Sequence, residues 1–317
     1  LVFAPKPTKE AGKKMPASPP IRNKAALAGK TLLVGLGAQK AGTTWLSSYL
    51  GAHPRVFVPL LGGEVHYFDT VHVAAAAPHR HRRNIEVARR FATSLGAERL
   101  VDKKKLSRLL EALDRMRMTQ DPKYSYLSFF ADRVRDDHDV FCDITPSYAA
   151  LDAAAFRAIE RSHSKVKYLF IMRDPVTQFW SGLRMRQKKA PGFDARTRFG
   201  EALENPSAVA LSDYRRTIEE VETAVEPSRL KFIFFEHLFR ADTIADLMSF
   251  LGLEAHAAPF GKVVNAGIPV EMPDDFRPRA LARLRHVYDY VFQRFGDQVP
   301  AQWHETASGP YPASSTS

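Results

Sequence analysis

Apolar positions along this chain fall into two alternating patterns. In one, nearly every position is apolar over a short run. "TLLVGLG" at 31–37, "DVFCDI" at 139–144, "VKYLFIM" at 166–172 and "LKFIFF" at 230–235 read in this way as strands buried on both faces. "HPRVFVPL" at 53–60 reads as one more short strand. In the other pattern the apolar residues recur with the period of a helix. Trp45, Leu46, Tyr49 and Leu50 share one face, as do Tyr214, Ile218, Val221 and Val225. Pro175 suits the first turn of a helix that follows Arg173 and Asp174. Ile244, Leu247, Met248 and Leu251 mark a short helix ending at Gly252. Leu281, Leu284, Tyr288, Val291 and Phe295 mark a long one stopped by Gly296. Residues 79–118 read as helical and basic, with Leu106, Leu109, Leu110 and Leu113 at helical spacing.

Strands that alternate with helices predict an α/β fold, three layers built around a central parallel sheet. No internal repeat and no linker interrupts residues 31–305, so a single domain is expected there. Residues 1–30 are rich in Pro, Lys and Ala without an apolar period, and predict a disordered basic N-terminal arm. Residues 306–317, "TASGPYPASSTS", predict a disordered tail.

Composition narrows the class. Of the 317 residues 45% are hydrophobic and 11% aromatic, enough for a sizeable core. No apolar run approaches the roughly 20 residues of a membrane helix, and no secretory signal opens the chain. It begins at Leu1 rather than Met, which leaves the true N-terminus open. The lone Cys142 excludes an internal disulfide, reads as a buried small hydrophobe, and fits a reducing cytoplasm. No Cys/His pairs have metal-ligand spacing, so no metal is expected. The net charge of +11 suits an anionic ligand or partner, or a solvated basic surface.

The candidate chemistry begins after the first strand, at Gly37-Ala38-Gln39-Lys40-Ala41-Gly42-Thr43-Thr44. A glycine loop between a strand and a helix places backbone N–H groups and a helix N-terminus around an anion. Nucleotide-hydrolysing loops carry Lys after the second glycine. Here that position is Thr43, and the only loop cation is Lys40. A magnesium-nucleotide kinase therefore fits poorly. A second stretch, "YLFIMRDPVTQFWSGLRM", puts Arg173 just after a buried strand and Ser181 eight residues later. A guanidinium fork and a hydroxyl suit one more phosphate.

Together the two stretches resemble the sulfotransferases that use 3′-phosphoadenosine 5′-phosphosulfate. The resemblance covers roughly residues 31–255. It continues through "GGEVHYFD", similar to an acidic segment of carbohydrate sulfotransferases, and through "CDITPSYAAL", "RLKFIFFEHL" and "FLGL" in the family's order. It implies a P-loop-like fold and in-line transfer of a sulfuryl group to a hydroxyl acceptor, carbohydrate or small molecule. It also implies a 5′-phosphosulfate held by Lys40, Ala41, Gly42, Thr43 and Thr44, and a 3′-phosphate held by Arg173 and Ser181. Trp45 is placed either to stack on adenine or to fill the core, and Tyr214 to approach the nucleotide or do the same.

Glu64 and His66 lie two apart, and an extended segment turns both to one side. The resemblance favours Glu64 as general base with His66 as partner, or His66 itself. Some relatives carry Lys before that Glu; here the residue is Gly63. Lys40 would stabilise charge on the leaving phosphate. The runs "HRHRRNIEVARR" and "KKKLSRLLEALDRMR" suit an anionic acceptor or are solvated helix faces. A nucleic-acid-binding protein is the non-enzymatic alternative, but it leaves the two-phosphate pattern without a use. Oligomeric state is not legible.

Overall fold

The computed structural model describes residues 24–74, 76–96, 102–261 and 268–308. Five parallel strands form one sheet: β1 (Thr31–Gly37), β2 (Val56–Phe57), β3 (Val140–Ile144), β4 (Val166–Met172) and β5 (Leu230–Phe234), in the order β2-β3-β1-β4-β5. All seven residues of β1 are buried, as its uninterrupted apolar run requires of a central strand. The helices are α1 (Thr43–Ala52), α2 (Tyr67–His72), α3 (Ala77–Gly96), α4 (Lys103–Gln120), α5 (Tyr126–Ala131), α6 (Ala153–Ser162), α7 (Pro175–Lys189), α8 (Ala195–Glu204), α9 (Pro206–Val209), α10 (Tyr214–Glu222), α11 (Ala241–Leu251), α12 (Phe276–Phe295) and α13 (Ala301–Ala307). The single α/β domain with a central parallel sheet is the fold class expected from the pattern, and every expected strand is present.

Topology decides where a ligand can bind. From β1 the chain crosses to one edge, at β2, and then returns through β3, β4 and β5. Right-handed crossovers place α1 on one face of the sheet and α6, α7 and α10 on the other. The connections leaving β1 and its neighbour β4 therefore part in opposite directions. That is the switch point where open α/β sheets form a crevice at their carboxyl ends. The glycine loop follows β1 and Arg173 follows β4, so both phosphate-type stretches open onto this crevice.

Each side of the crevice is pinned by a buried carboxylate. Asp174 caps α7, accepting from the Thr177 N–H at 2.8 Å and hydroxyl at 2.6 Å, and from the Tyr288 hydroxyl at 2.8 Å. Asp143, with no exposed surface, lies near the end of β3. One of its oxygens accepts from the Thr145 hydroxyl (2.6 Å) and the Val65 N–H (3.2 Å). The other accepts from the Tyr148 hydroxyl (2.8 Å) and the Tyr126 hydroxyl (3.0 Å). Thr145 Oγ1 accepts in turn from the Val65 N–H at 3.0 Å, and Tyr148 Oη from the Tyr67 N–H at 3.2 Å. The segment "CDITPSY" thus anchors the loop that carries Glu64 and His66.

Two readings meet the structure differently. The basic stretch 79–118 forms two helices, α3 and α4, and the leucines of α4 do not fill a core. Leu106, Leu110 and Leu113 are exposed, whereas Glu111, Ala112, Arg115 and Met118 are buried. The reason is polar. Glu111 accepts from the N–H groups of Leu60 (2.8 Å) and Leu61 (3.0 Å) and from Arg115 (2.7 Å), so the inward face of α4 is a hydrogen-bonded pair and not an apolar stripe. The expected N-terminal arm lies mostly outside the described residues, but Leu27 is buried in the core. The expected tail also lies mostly outside them, with α13 reaching Ala307.

Replacing Asp143 strands three hydroxyl donors, those of Thr145, Tyr148 and Tyr126, in a buried site. Asp143→Ala is expected to lower unfolding free energy by about 3 kcal/mol or more. Chemical denaturation checks this; a loss under about 1 kcal/mol would show that the loop is held by other contacts.

Candidate active site

A cleft of about 770 Å3 lies at the switch point. Its wall joins Lys40, Gly42, Thr43, Thr44 and Trp45 from the glycine loop and α1 to Arg173 from the β4–α7 turn and Ser181 from α7. Glu64 and His66 line the same cleft. The site residues expected from the sequence are therefore brought to one cavity, except that Ala41 is fully buried beneath it and Tyr214 is buried away from it. Whatever Ala41 offers a ligand comes from its backbone.

On the glycine-loop side the chain turns sharply. Gly42 caps α1 with φ 81° and no side-chain cap, so the helix N-terminus faces the cleft without a carboxylate or hydroxyl of its own cap. Lys40 holds φ 69°. Its carbonyl accepts from Arg173 Nη1 at 3.0 Å, which ties the two phosphate-type stretches together. The Arg173 guanidinium lies 4.5 Å over the Phe235 ring, and its own carbonyl accepts from the Tyr214 hydroxyl at 2.8 Å. Tyr214 is fully buried and packs on Phe170, so it places Arg173 from behind and does not reach the cleft.

Charge on this side is of one sign. Burial lowers the Lys40 pKa from its ordinary value, and the nearby charges of Arg173, Lys189, Arg184 and Lys188 lower it further. Among the described residues, none of these five cations has a carboxylate within ion-pair distance. Such a cluster is poised for a polyanion, whose arrival relieves the repulsion. Sequence reading missed Arg184 and Lys189; both lie on α7 beyond Ser181 and line the cleft. Helical spacing from Ser181 was the signal for Arg184, three residues on. Trp45 is 3% exposed; its ring stacks with Tyr49 and Phe260 and meets Phe239 edge-on. Trp45, Phe239 and Phe260 form an aromatic wall to the cleft.

The opposite side is built around His66, which takes φ 61° as it caps α2. Lys40 and His66 are the two non-glycine residues with left-handed backbone among the described residues. Each such residue costs of order 1–3 kcal/mol, and both line the cleft. His66 Nε2 lies 2.9 Å from Glu64 and Nδ1 lies 3.0 Å from Asp69. Asp69 is 1% exposed and also accepts from Arg80 Nε (3.1 Å) and the Ser147 hydroxyl (2.6 Å). Glu64 is the partly exposed end of this chain of groups, with Arg83 at 3.7 Å. Burial alone would raise the Glu64 carboxyl, but the His66 hydrogen bond and charge, with Arg83 and Arg115, hold it below the ordinary range. The same balance holds for Asp69, where His66, Arg80 and Ser147 outweigh burial. Asp69 was not singled out from sequence. Its signal was the spacing Glu-x-His-x-x-Asp, which brings residues three apart together at a helix start.

A parallel sheet with a glycine loop after its first strand, and an Arg–Ser pair after the strand beside it, defines a P-loop-like α/β protein. The chain belongs to the Sulfotransferase family, whose profile matches residues 33–257. Its fold is similar to that of a sulfotransferase from Alicyclobacillus acidocaldarius, with TM-score 0.58, 17% identity, and 86% of this chain and 98% of that one covered. Matches at lower TM-score are the sulfotransferase domains of the Synechococcus PCC 7002 olefin synthase (0.39, 17% identity, 90% and 89% covered) and of the curacin biosynthetic pathway (0.44, 16% identity, 90% and 99% covered). Comparison with curated proteins returns no match.

Gly63 immediately precedes Glu64, and its backbone favours glycine. It takes φ 79°, and a Cβ there would lie 2.6 Å from the buried Ser47 Oγ. Gly63→Ala is expected to destabilise by roughly 1–3 kcal/mol. It should also move Glu64, the next residue. Thermal unfolding beside a crystal structure of the variant checks both; an unchanged melting temperature would mean that Ser47 yields freely.

Proposed function

We propose that this sulfotransferase takes its sulfuryl group from 3′-phosphoadenosine 5′-phosphosulfate and delivers it to a hydroxyl acceptor by in-line displacement, with Glu64 as general base. The observation that carries this reading is the division of one cleft. One side gathers unpaired cations, a helix N-terminus and a hydroxyl; the other presents a single partly exposed carboxylate backed by an imidazole.

The residues present fit that donor. Lys40 and the loop from Gly42 to Thr44 suit the 5′ phosphosulfate, Arg173 and Ser181 the 3′-phosphate, and Trp45 with Phe260 an adenine edge or face. The donor supplies an activated sulfuryl group joined to phosphate through oxygen. Glu64 takes the acceptor proton as the new sulfur–oxygen bond forms. Lys40 meets the negative charge left on the phosphate as the bridging bond breaks. His66 holds Glu64 in place, and Asp69 holds His66. Glu64, and not His66, reaches the acceptor, because both ring nitrogens of His66 are already committed to carboxylates. The acceptor is a carbohydrate or a small alcohol, with Arg83 beside Glu64 favouring one that carries an anion.

Ligand stability tests the donor. Adenosine 3′,5′-bisphosphate at one hundred times its dissociation constant stabilises by roughly 2.7 kcal/mol. A thermal-shift assay is expected to show this, with a smaller effect from magnesium-ATP. The opposite ranking would favour a kinase. Binding should also weaken as pH rises through the lowered Lys40 pKa, because the ligand needs the protonated ammonium. In Lys40→Arg that alkaline loss should vanish.

Single-turnover transfer tests the base. Glu64→Gln is expected to slow it by about 10²–10⁴-fold while bisphosphate binding stays normal. Since Glu64 is held below its ordinary pKa, the wild-type rate should persist to acid pH and fall only below the usual carboxylate range. His66→Asn removes the principal stabilising contact, so the acid limb should move to higher pH. A dead His66→Asn variant beside a near-normal Glu64→Gln would reassign the base to His66.

A further inference from the structure

Seven large apolar side chains are exposed among the described residues. Four of them, Ile85, Leu106, Leu110 and Leu113, lie on α3 and α4. Two more sit against the same helices: Leu60, whose N–H is bound by Glu111 of α4, and Val71 on α2. α3 and α4 run antiparallel, with Gln120 meeting His81 and Arg108 lying over Phe91. At the helical turn angle, Leu106, Leu110 and Leu113 fall within an arc of about 60°, opposite the buried Glu111, Ala112, Arg115 and Met118. Leu110 is 51% exposed and Leu113 45%.

Charge is concentrated on the same pair. α3 and α4 carry eleven Lys and Arg residues against three acidic ones. The two helices therefore hold a net +8 in a chain whose total is +11. Lys103 and Lys104, at the start of α4, are exposed, as are Arg82, Arg89 and Arg90 on α3.

We propose that the outward face of the α3–α4 hairpin docks on an anionic lipid bilayer surface. The leucines of α4 enter the headgroup–acyl boundary while Lys103 and the exposed α3 arginines meet anionic headgroups. The combination selects this occupant. A second copy would set two faces bearing the exposed Arg82, Arg89, Arg90 and Lys103 against each other, a like-charge contact that opposes association. A nucleic acid or a sulfated polysaccharide answers the charge but offers the leucines no apolar phase. The contact is peripheral, since no helix among the described residues is long and apolar enough to cross a membrane. Arg80 and Arg83 lie on α3 and line the cleft, so docking would set its Glu64 side close to the lipid surface.

Co-sedimentation with vesicles tests the proposal. The full chain is expected to bind vesicles of phosphatidylcholine mixed with phosphatidylglycerol, to ignore phosphatidylcholine alone, and to release as salt rises. Lys103→Gln with Arg89→Gln is expected to weaken binding about 30-fold, from roughly 1 kcal/mol for each cation. Leu110→Gln with Leu113→Gln should weaken it by roughly tenfold or more, with an unchanged melting temperature because both side chains are exposed. Four outcomes overturn the idea: equal binding to neutral vesicles; vesicle binding unchanged in either double variant; salt-sensitive retention on heparin or DNA without vesicle binding; or a dimer in analytical ultracentrifugation that the leucine variant dissolves.

Discussion

The Glu64 side of the cleft depends on one carboxylate that no solvent touches. Asp143 has two oxygens, and each accepts two hydrogen bonds. Burial pushes its pKa up, and its four donors work against that push. The arrangement matters beyond its own satisfaction, because Thr145 and Tyr148 pass it on. Their oxygens take the N–H groups of Val65, Tyr67 and Phe68, which the loop cannot satisfy by itself. A loop so fixed can hold His66 in a left-handed conformation that an unsupported histidine would leave. Only in that conformation do residues 64, 66 and 69 line up as carboxylate, imidazole and carboxylate.

The two sides of the cleft solve opposite electrostatic problems. Around Glu64, negative and positive groups are paired one to one, Glu64 with Arg83 and Asp69 with Arg80, and His66 bridges the two carboxylates. Positions are fixed there, and charge is balanced before any ligand arrives. Around Lys40 the cations are left facing one another, and they add to the burial that lowers its pKa. That imbalance lowers stability in the free protein and is relieved by an anion. On the proposed reading a polyanionic donor is thus drawn to one side, while the other stays preorganised for a neutral or singly charged hydroxyl.

Much of this was legible in the sequence because the sheet and the phosphate-type turns are local features. A buried strand followed by glycine, or by Arg-Asp-Pro, announces both the element and its end. Strand-to-helix order then brings Lys40 and Arg173 to one edge without knowledge of any contact. What sequence could not give was long-range. Asp143 and Tyr148 read as parts of an apolar strand and turn, and only the fold shows that they hold residues near position 65. Asp69 lay inside a quoted segment, yet its role needs the bend at His66. The direction in which the α4 leucines face was not legible for a different reason. Helical spacing reports that residues share a face, but not which face is inward. A buried Glu111–Arg115 pair, anchored by the Leu60 and Leu61 backbone, took the inward position.

A general base with a lowered pKa looks ill-suited to its task, since a weaker base pulls less on a proton. On the proposed reading the objection fails, for a reason seated in the geometry. An alcohol proton is held tightly until the oxygen begins to bond sulfur; from then on it is strongly acidic, and almost any carboxylate will take it. What the reaction needs is a carboxylate that is empty and aimed at that moment. Burial works against the first requirement by favouring the protonated form of Glu64. The His66 contact and the charges of Arg83 and Arg115 reverse that preference. Asp69, backed by Arg80 and Ser147, meets the second by holding His66 from its far nitrogen. The base strength lost by lowering the pKa is thereby exchanged for an acceptor site that is ionised and fixed when the proton is released, and the strained backbone at His66 is what makes that alignment possible.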